Sequence, residues 1–347
     1  MNKYNLNYPG LNALCKYLNA ETDYHFDIIS VVFFIRHISV ATGCYNACIH
    51  CFSNSPQQIT QTSLDGFKIL INEIGSVLSK IQKQLSFFHL GASTDPSSIY
   101  NYYKYLELWR EAMPNFQILK VFTHGWWLYD SKQLEEFERF IEVVSRNLNI
   151  KIVISFDLFS LHARKDWNKY LDNISQNLSA VLKSIGKERV RLEVFYTPDR
   201  FYCDEKFTLQ FWREQVIGNE IPFKKMMSIC NTSSDNICAK VTSGVLYVLS
   251  KSGLAPIDLI DMTRDCGCVF PSGRAKNLFE GFSDDDKIEG LRIQERNVLY
   301  SLKEYEYKYN GVVIYPDGSA QLVDYLGFKL KGFLNDANPI IPYMTTI

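Results

Sequence analysis

The chain contains no apolar run long enough to cross a bilayer. Its most apolar stretch, Ile28 to Ile35, is stopped by Arg36 and His37, far short of the ~20 residues that a spanning helix needs, and reads as a buried strand. An excess of charge is also missing. Thirty-seven Lys and Arg against 38 Asp and Glu leave a formal −1, which excludes a global pull toward nucleic acid or a membrane surface and leaves local patches alone to supply one. The first residues, MNKYNLNYPG, lack the apolar core of a secretory leader. Internal repeats and low-complexity tracts are absent. The nine cysteines, an odd and unevenly spaced set, do not look like a disulfide framework. They argue for a reducing compartment, so a cytoplasmic location is expected.

What is present is globular: 46% hydrophobic and 22% charged residues over 347 positions, enough for a large core and suited to one barrel with an extension. Short β-prone runs at 31–38, 85–90, 117–122, 150–156, 189–196 and 257–262 alternate with helical patterns near 63–82, 98–112, 131–147, 168–185 and 240–252. Strands alternating with helices imply parallel pairing through right-handed crossovers. The near-continuous apolar strands suit a sheet covered on its faces by helices. The expected fold class is α/β, with an open six-stranded barrel and a flavodoxin-like open sheet both compatible with the periodicity. Residues 1–25 read as an N-terminal extension, 26–275 as the α/β body with an insertion at 203–239, and 276–347 as a small α+β extension. In the last, Pro316-Asp317-Gly318 forms the turn of a hairpin.

The most informative feature is Cys44, Cys48 and Cys51, a C-x3-C-x2-C triplet in ATGCYNACIHCFSNSP directly after the first strand. Three thiolates on one tight loop can hold a four-iron cluster and leave one iron open to another ligand. Structural zinc is the competing reading, but it prefers four N/S ligands in closely spaced pairs, and His50 between Cys48 and Cys51 would crowd them. Three unrelated buried thiols are the other; the surrounding Asn46, Ser53, Asn54, Ser55 and Pro56 read as loop.

At this triplet the chain resembles the radical S-adenosylmethionine (SAM) superfamily, and the resemblance extends over residues 30–280. It implies an open (β/α)6 barrel carrying a 4Fe–4S cluster on Cys44, Cys48 and Cys51, with SAM chelated by the open iron. It also implies reductive cleavage of SAM to a 5′-deoxyadenosyl radical that takes hydrogen from an unactivated carbon. The cofactors supply that chemistry and the protein supplies placement.

The same resemblance nominates the SAM contacts. His50 stands where the family often lays an aromatic ring on the adenine, unless it is simply a loop histidine. Gly91, Ala92, Ser93 and Asp95 replace a Gly-Gly-Glu stretch that meets the SAM amino group. Ala92 resists a positive φ, and Asp95 or Ser97 could equally cap the following helix. Thr123, in THGWW, matches a Thr-Asn-Gly turn, with His124 in place of the Asn. Ser155 and Asp157 fall on one side of the fourth strand by period-two alternation, where such residues meet the ribose or methionine part; a turn-capping Asp is the alternative. Arg274, in a Gly-Arg-Ala turn, suits a carboxylate or an ordinary surface turn.

CFSNSP, THGWW, SFDLFSLHARKDW and PSGRAKNL are similar to members that modify ribosomally made peptides, peptide epimerases among them. That implies a peptide substrate, with a small metabolite or a SAM-binding barrel without radical chemistry as alternatives, and a flavodoxin- or ferredoxin-type electron donor. No cysteine follows Cys268, so a standard auxiliary-cluster domain is not expected. Cys230, Cys238, Cys266 and Cys268 read as structural thiols or a nonstandard second cluster. Cys203, Cys230, Cys266 and Cys268 are candidates for donating hydrogen to a substrate radical.

Overall fold

The computed structural model describes residues 8–45, 56–83, 88–90, 94–114, 119–123, 134–147, 150–155, 167–193, 247, 251–252, 311–323 and 340–347. The insertion at 203–239, the strand expected at 257–262 and the link after 276 lie outside them, as does most of the helix expected at 240–252.

Helix α1 (Pro9–Glu21) starts with proline in its first turn, where the missing N–H costs nothing. Helix α2 (Ile28–Phe34) corrects the sequence reading, which placed a strand over 31–38. A capping box decides it: Ser30 N–H donates to Asp27 Oδ1 at 2.7 Å and Asp27 N–H to Ser30 Oγ at 2.8 Å. Two satisfied end groups, with Val31 and Val32 fully buried, outweigh the β-propensity of VVFF. Strand β1 is therefore only Ile35–Ile38. The short strands β2 (Ala41–Thr42) and β3 (Thr60–Gln61) pair antiparallel.

Helix α3 (Leu64–Ile81) is capped by Ser63, whose Oγ accepts from Gly66 N–H, and ends at Gln82 in the left-handed region. Its buried Phe67, Leu70, Ile71, Ile74, Val77 and Leu78 follow the helical period. After β4 (Phe88–Leu90) the chain turns through a short 3-10 segment, Pro96–Ser98, and α4 (Tyr102–Ala112) follows Asn101 at φ 56°. The helix read at 98–112 thus begins four residues late, because Asp95-Pro96 nucleates its own turn. Strand β5 (Leu119–Thr123), α5 (Leu134–Ser145), β6 (Ile150–Ser155), α6 (Trp167–Ile185) and β7 (Val190–Glu193) complete the alternation.

The sheet runs β7-β6-β5-β4-β1-β8-β9, where β8 (Gly311–Ile314) and β9 (Ala320–Val323) are the hairpin read from YPDGS. Strands β1, β4, β5, β6 and β7 are parallel and in chain order. The hairpin joins this same sheet, with β8 parallel to β1 on its other edge. Order without reversal is single winding, since each right-handed crossover returns its helix to the same side. Every described α-helix contributes to one core cluster with one face of the sheet: Ile38, Leu90, Leu119, Val121, Ile150, Ile152, Val190 and Ile314 meet Leu11, Val31, Phe67, Trp109, Phe140 and Leu178.

The residues that alternate with these core positions are mixed rather than uniformly apolar. Register puts Lys120 beside Lys151 and His89, and His89 beside His37 and then Val313. Two residues further along the strands Phe122 is level with Val153, and Val153 with Arg191.

The two ends of the chain meet on α3. Buried Glu73 accepts from Gly10 N–H (3.3 Å), Leu11 N–H (2.9 Å) and Tyr343 O–H (2.9 Å). Burial pushes its carboxyl up, with these bonds opposing in part. A raised folded value means that the stabilisation from this group is complete below the ordinary carboxyl range and is lost as pH rises through the raised value. Glu73→Gln is expected to flatten the fall in urea midpoint across that window; an unchanged pH profile would assign the slope to another group.

Candidate functional site

The segment that carries the cysteine triplet is closed at its base. β2 and β3 form its stem, and Cys44 N–H donates to Pro56 O at 2.7 Å across its neck. Gly43 makes the closure possible. At φ 92° a side chain there would be strained, and its Cβ would fall 2.0 Å from Gln58 O. The stem continues outward, with Thr62 bridged to Thr346 and Ile347 N–H donating to Gln61 O at 2.8 Å.

The loop after β4 is fastened to this neck. Thr94 Oγ1 donates to Ala41 O at 2.8 Å. Ser98 Oγ accepts from Tyr45 N–H at 3.2 Å and lies 3.9 Å from Cys44 Sγ. The Gln61 carboxamide grips both backbone groups of Tyr100 at 3.2 Å and donates to the Tyr105 hydroxyl. The end of β5 joins as well. Thr123 Oγ1 donates to Asp95 Oδ1 at 2.9 Å, and the same oxygen accepts Ser97 N–H (2.9 Å) and Ser97 Oγ (2.5 Å). Asp95 and Thr123 are both buried. The Tyr102 hydroxyl donates to Leu90 O beneath them, and burial, together with the nearby Asp95 charge, pushes that phenol up.

The structure thus brings Cys44, Asp95 and Thr123 to the C-terminal edge of three adjacent parallel strands, where the loops of α/β barrels build their sites. The bonds of Asp95 are the turn-capping arrangement, now extended across the sheet to Thr123. Ser155 ends β6, level with Glu193 of β7. His50, Cys48, Cys51, Gly91, Ala92, Ser93, Asp157, Arg274, Cys203, Cys230, Cys266 and Cys268 lie outside the described residues. Sequence reasoning missed Thr94, Ser98 and Gln61. Small polar residues around a Pro turn signal a cap, but nothing local tells which loop they will reach.

Among the described residues no group of three or more His, Cys, Asp or Glu is placed to hold a metal ion, and Cys44 is the one member of the triplet they include. Half-buried on a backbone-locked neck, it fits a first cluster ligand: fixed in position yet reachable. No described helix is long and apolar enough to cross a membrane. Comparison with models of known protein families and with curated proteins gives no match.

Proposed function

We propose that this chain is a radical SAM enzyme. The reading is carried by one observation: a C-x3-C-x2-C segment follows the first of a run of singly wound parallel strands, at the edge where the turn after β4 is fastened to its neck and to the end of β5. The sheet is taken as part of an open six-stranded barrel, of which β1, β4, β5, β6 and β7 are the described parallel strands.

Cys44, Cys48 and Cys51 would hold a 4Fe–4S cluster, whose bound SAM supplies a hydrogen-abstracting radical when one electron arrives from a flavodoxin- or ferredoxin-type donor. The protein's own part is positional. The Gly43 closure and the Pro56 bond fix the cluster loop, and Thr94, Ser98 and Gln61 keep it against the β4 loop. Asp95, held by Thr123 and Ser97, fixes the floor on which the SAM amino group would rest. Ser155 and Asp157 are assigned to the ribose or methionine part, since a carboxylate accepts two hydroxyl bonds. The substrate is assigned to the peptides, in natural-product maturation. This agrees with a cytoplasmic location.

The test is anaerobic reconstitution with iron and sulfide, then dithionite and SAM. About four irons per chain and 5′-deoxyadenosine are expected for a single cluster; about eight irons would assign a second cluster to Cys230, Cys238, Cys266 and Cys268. Zinc in place of iron, with no cluster formed, would overturn the reading. A formed cluster that yields no deoxyadenosine with any peptide or metabolite offered would leave a SAM-binding barrel.

A further inference from the structure

The neck of the cysteine segment is held from outside by a further extended stretch. Residues 345–347 run antiparallel to the leg that returns through β3 toward α3. Ile347 and Gln61 exchange both backbone bonds, at 2.8 Å from Ile347 N–H and 3.4 Å from Gln61 N–H, and Ser63 N–H donates to Thr345 O at 2.7 Å. Gln61 is also the register partner of Ala41. One row therefore reads Ala41, Gln61, Ile347, and Cys44 follows shortly after its first member.

The residues that lead to this stretch are seated in spaces shaped for them. A Cβ on Gly10 would fall 2.0 Å from Tyr343 Oη, and one on Gly66 would fall 2.6 Å from Tyr343 O. Tyr343 donates to Glu73, and Ile341 and Met344 belong to the core cluster. Residues 345–347, by contrast, are exposed. Buried side chains thus anchor the segment, while its outer part is held by backbone bonds near solvent, the kind that open locally at low cost.

A second observation marks where the segment bears. Thr62 is fully buried, and its Oγ1 has no hydrogen-bond partner among the described residues. Its register partner is the exposed Thr346. The two threonines stand between the bonded pairs, where side chains of antiparallel strands approach most closely. A buried hydroxyl without a partner costs its desolvation. Lifting residues 345–347 would open a way for water to reach it, so the closed arrangement carries a cost that the open one does not.

We propose that residues 343–347 form a strap that positions the cysteine segment. Closed, it fixes the leg Gln61–Ser63 and with it the neck that holds Cys44; lifted, it loosens that neck. The proposal rests on the enzyme reading above and adds a control over how firmly the cluster is held. Ile347 acts through its backbone, and the Thr62 hydroxyl sets the balance between the two states.

The test compares the parent with Ile347→Pro and Thr62→Val, first without iron. Proline deletes the N–H that Ile347 donates to Gln61, and valine deletes the unpartnered hydroxyl at similar volume. Hydrogen exchange is read by mass spectrometry on peptides spanning 40–45 and 59–64, with 119–123 in β5 as reference. Ile347→Pro is expected to speed exchange at the neck about ten-fold and Thr62→Val to slow it, with the reference unchanged in both. A neck unmoved in Thr62→Val, or a reference that shifts as much as the neck, would overturn the strap and make the segment ordinary scaffold. The valine arm decides even where the proline variant fails to fold.

The same proteins are then reconstituted, and their loss of iron to EDTA is timed. Faster loss in Ile347→Pro and slower loss in Thr62→Val are expected. A neck that responds while iron loss does not would overturn the positioning role. The two readings fail separately. Parent protein that takes up no iron, while exchange at its neck follows the strap, overturns the cluster alone. Cluster-loaded protein whose neck exchanges alike in all three forms overturns the strap alone.

Discussion

Replacing Cys44 by alanine is expected to leave a folded protein with almost no iron after reconstitution, down from about four per chain, and no deoxyadenosine above background. The two halves of this result have different physical origins. Two remaining thiolates cannot hold a four-iron cluster that offers three protein ligands, so the loss of iron should be nearly complete. The fold should hardly notice. Cys44 is half-buried and outside the core cluster. The bond that closes the loop is made by its backbone N–H to Pro56 O, which alanine keeps. Iron by colorimetry and urea unfolding on one sample check both halves. A variant with full iron would remove Cys44 from the ligand set, and a variant that fails to fold would make it a scaffold residue.

Replacing Arg189 by methionine is expected to do the reverse: a loss of about 3 kcal/mol of stability with the iron content per folded molecule unchanged. Arg189 ends a 3-10 turn after Gly186, just before β7. It is buried, and its guanidinium is spent on three carbonyls: Ile150 O, from Nε at 3.2 Å and Nη2 at 3.1 Å, Asn147 O and Val144 O. Val144 lies in the last turn of α5 and Ile150 opens β6. One cation therefore satisfies the carbonyl end of a helix and stitches it to the next two strands. Burial pulls the guanidinium pKa down and the neighbouring Glu188 pushes it back up. Methionine fills similar space but leaves these acceptors without donors, and hydrogen bonds to charged groups are the costly ones to lose. Lysine, which keeps the charge but not the fork, should fall between. A urea midpoint within about 0.5 kcal/mol of the parent would mean that water replaces the guanidinium.

These two residues mark opposite edges of one sheet. Arg189 serves the N-terminal edge, where the chain enters the strands, and Cys44, Asp95 and Thr123 gather at the C-terminal edge. Stability and the proposed chemistry are thus separable by mutation.

Much of this was legible along the chain. The helical period over 63–82 and 168–185 gave α3 and α6 to within a residue or two, because amphipathic spacing and a capping serine are local. The YPDGS turn was equally local: Gly318 takes φ 79° and Asp317 accepts from Ser319 N–H at 3.0 Å. The cysteine spacing and its place after the first strand also needed nothing but order along the chain. Those signals are written between neighbours, and the sequence by itself determined them.

Other features were decided by the tertiary structure. VVFF becomes helix because α2 packs between α1 and α3 under an Asp27–Ser30 cap. The hairpin read as part of an extension joins β1, since its partner strand lies nearly three hundred residues earlier. Asp95 turned out to bond to Thr123, 28 positions away, and Ser98 to reach Tyr45 and Cys44. The register row of His37, His89, Lys120 and Lys151 existed in the sequence only as isolated residues, each in its own apolar run. Register alone brings them together, because a strand's alternation fixes which of its residues share a face, and only pairing with its neighbours fixes what stands beside them.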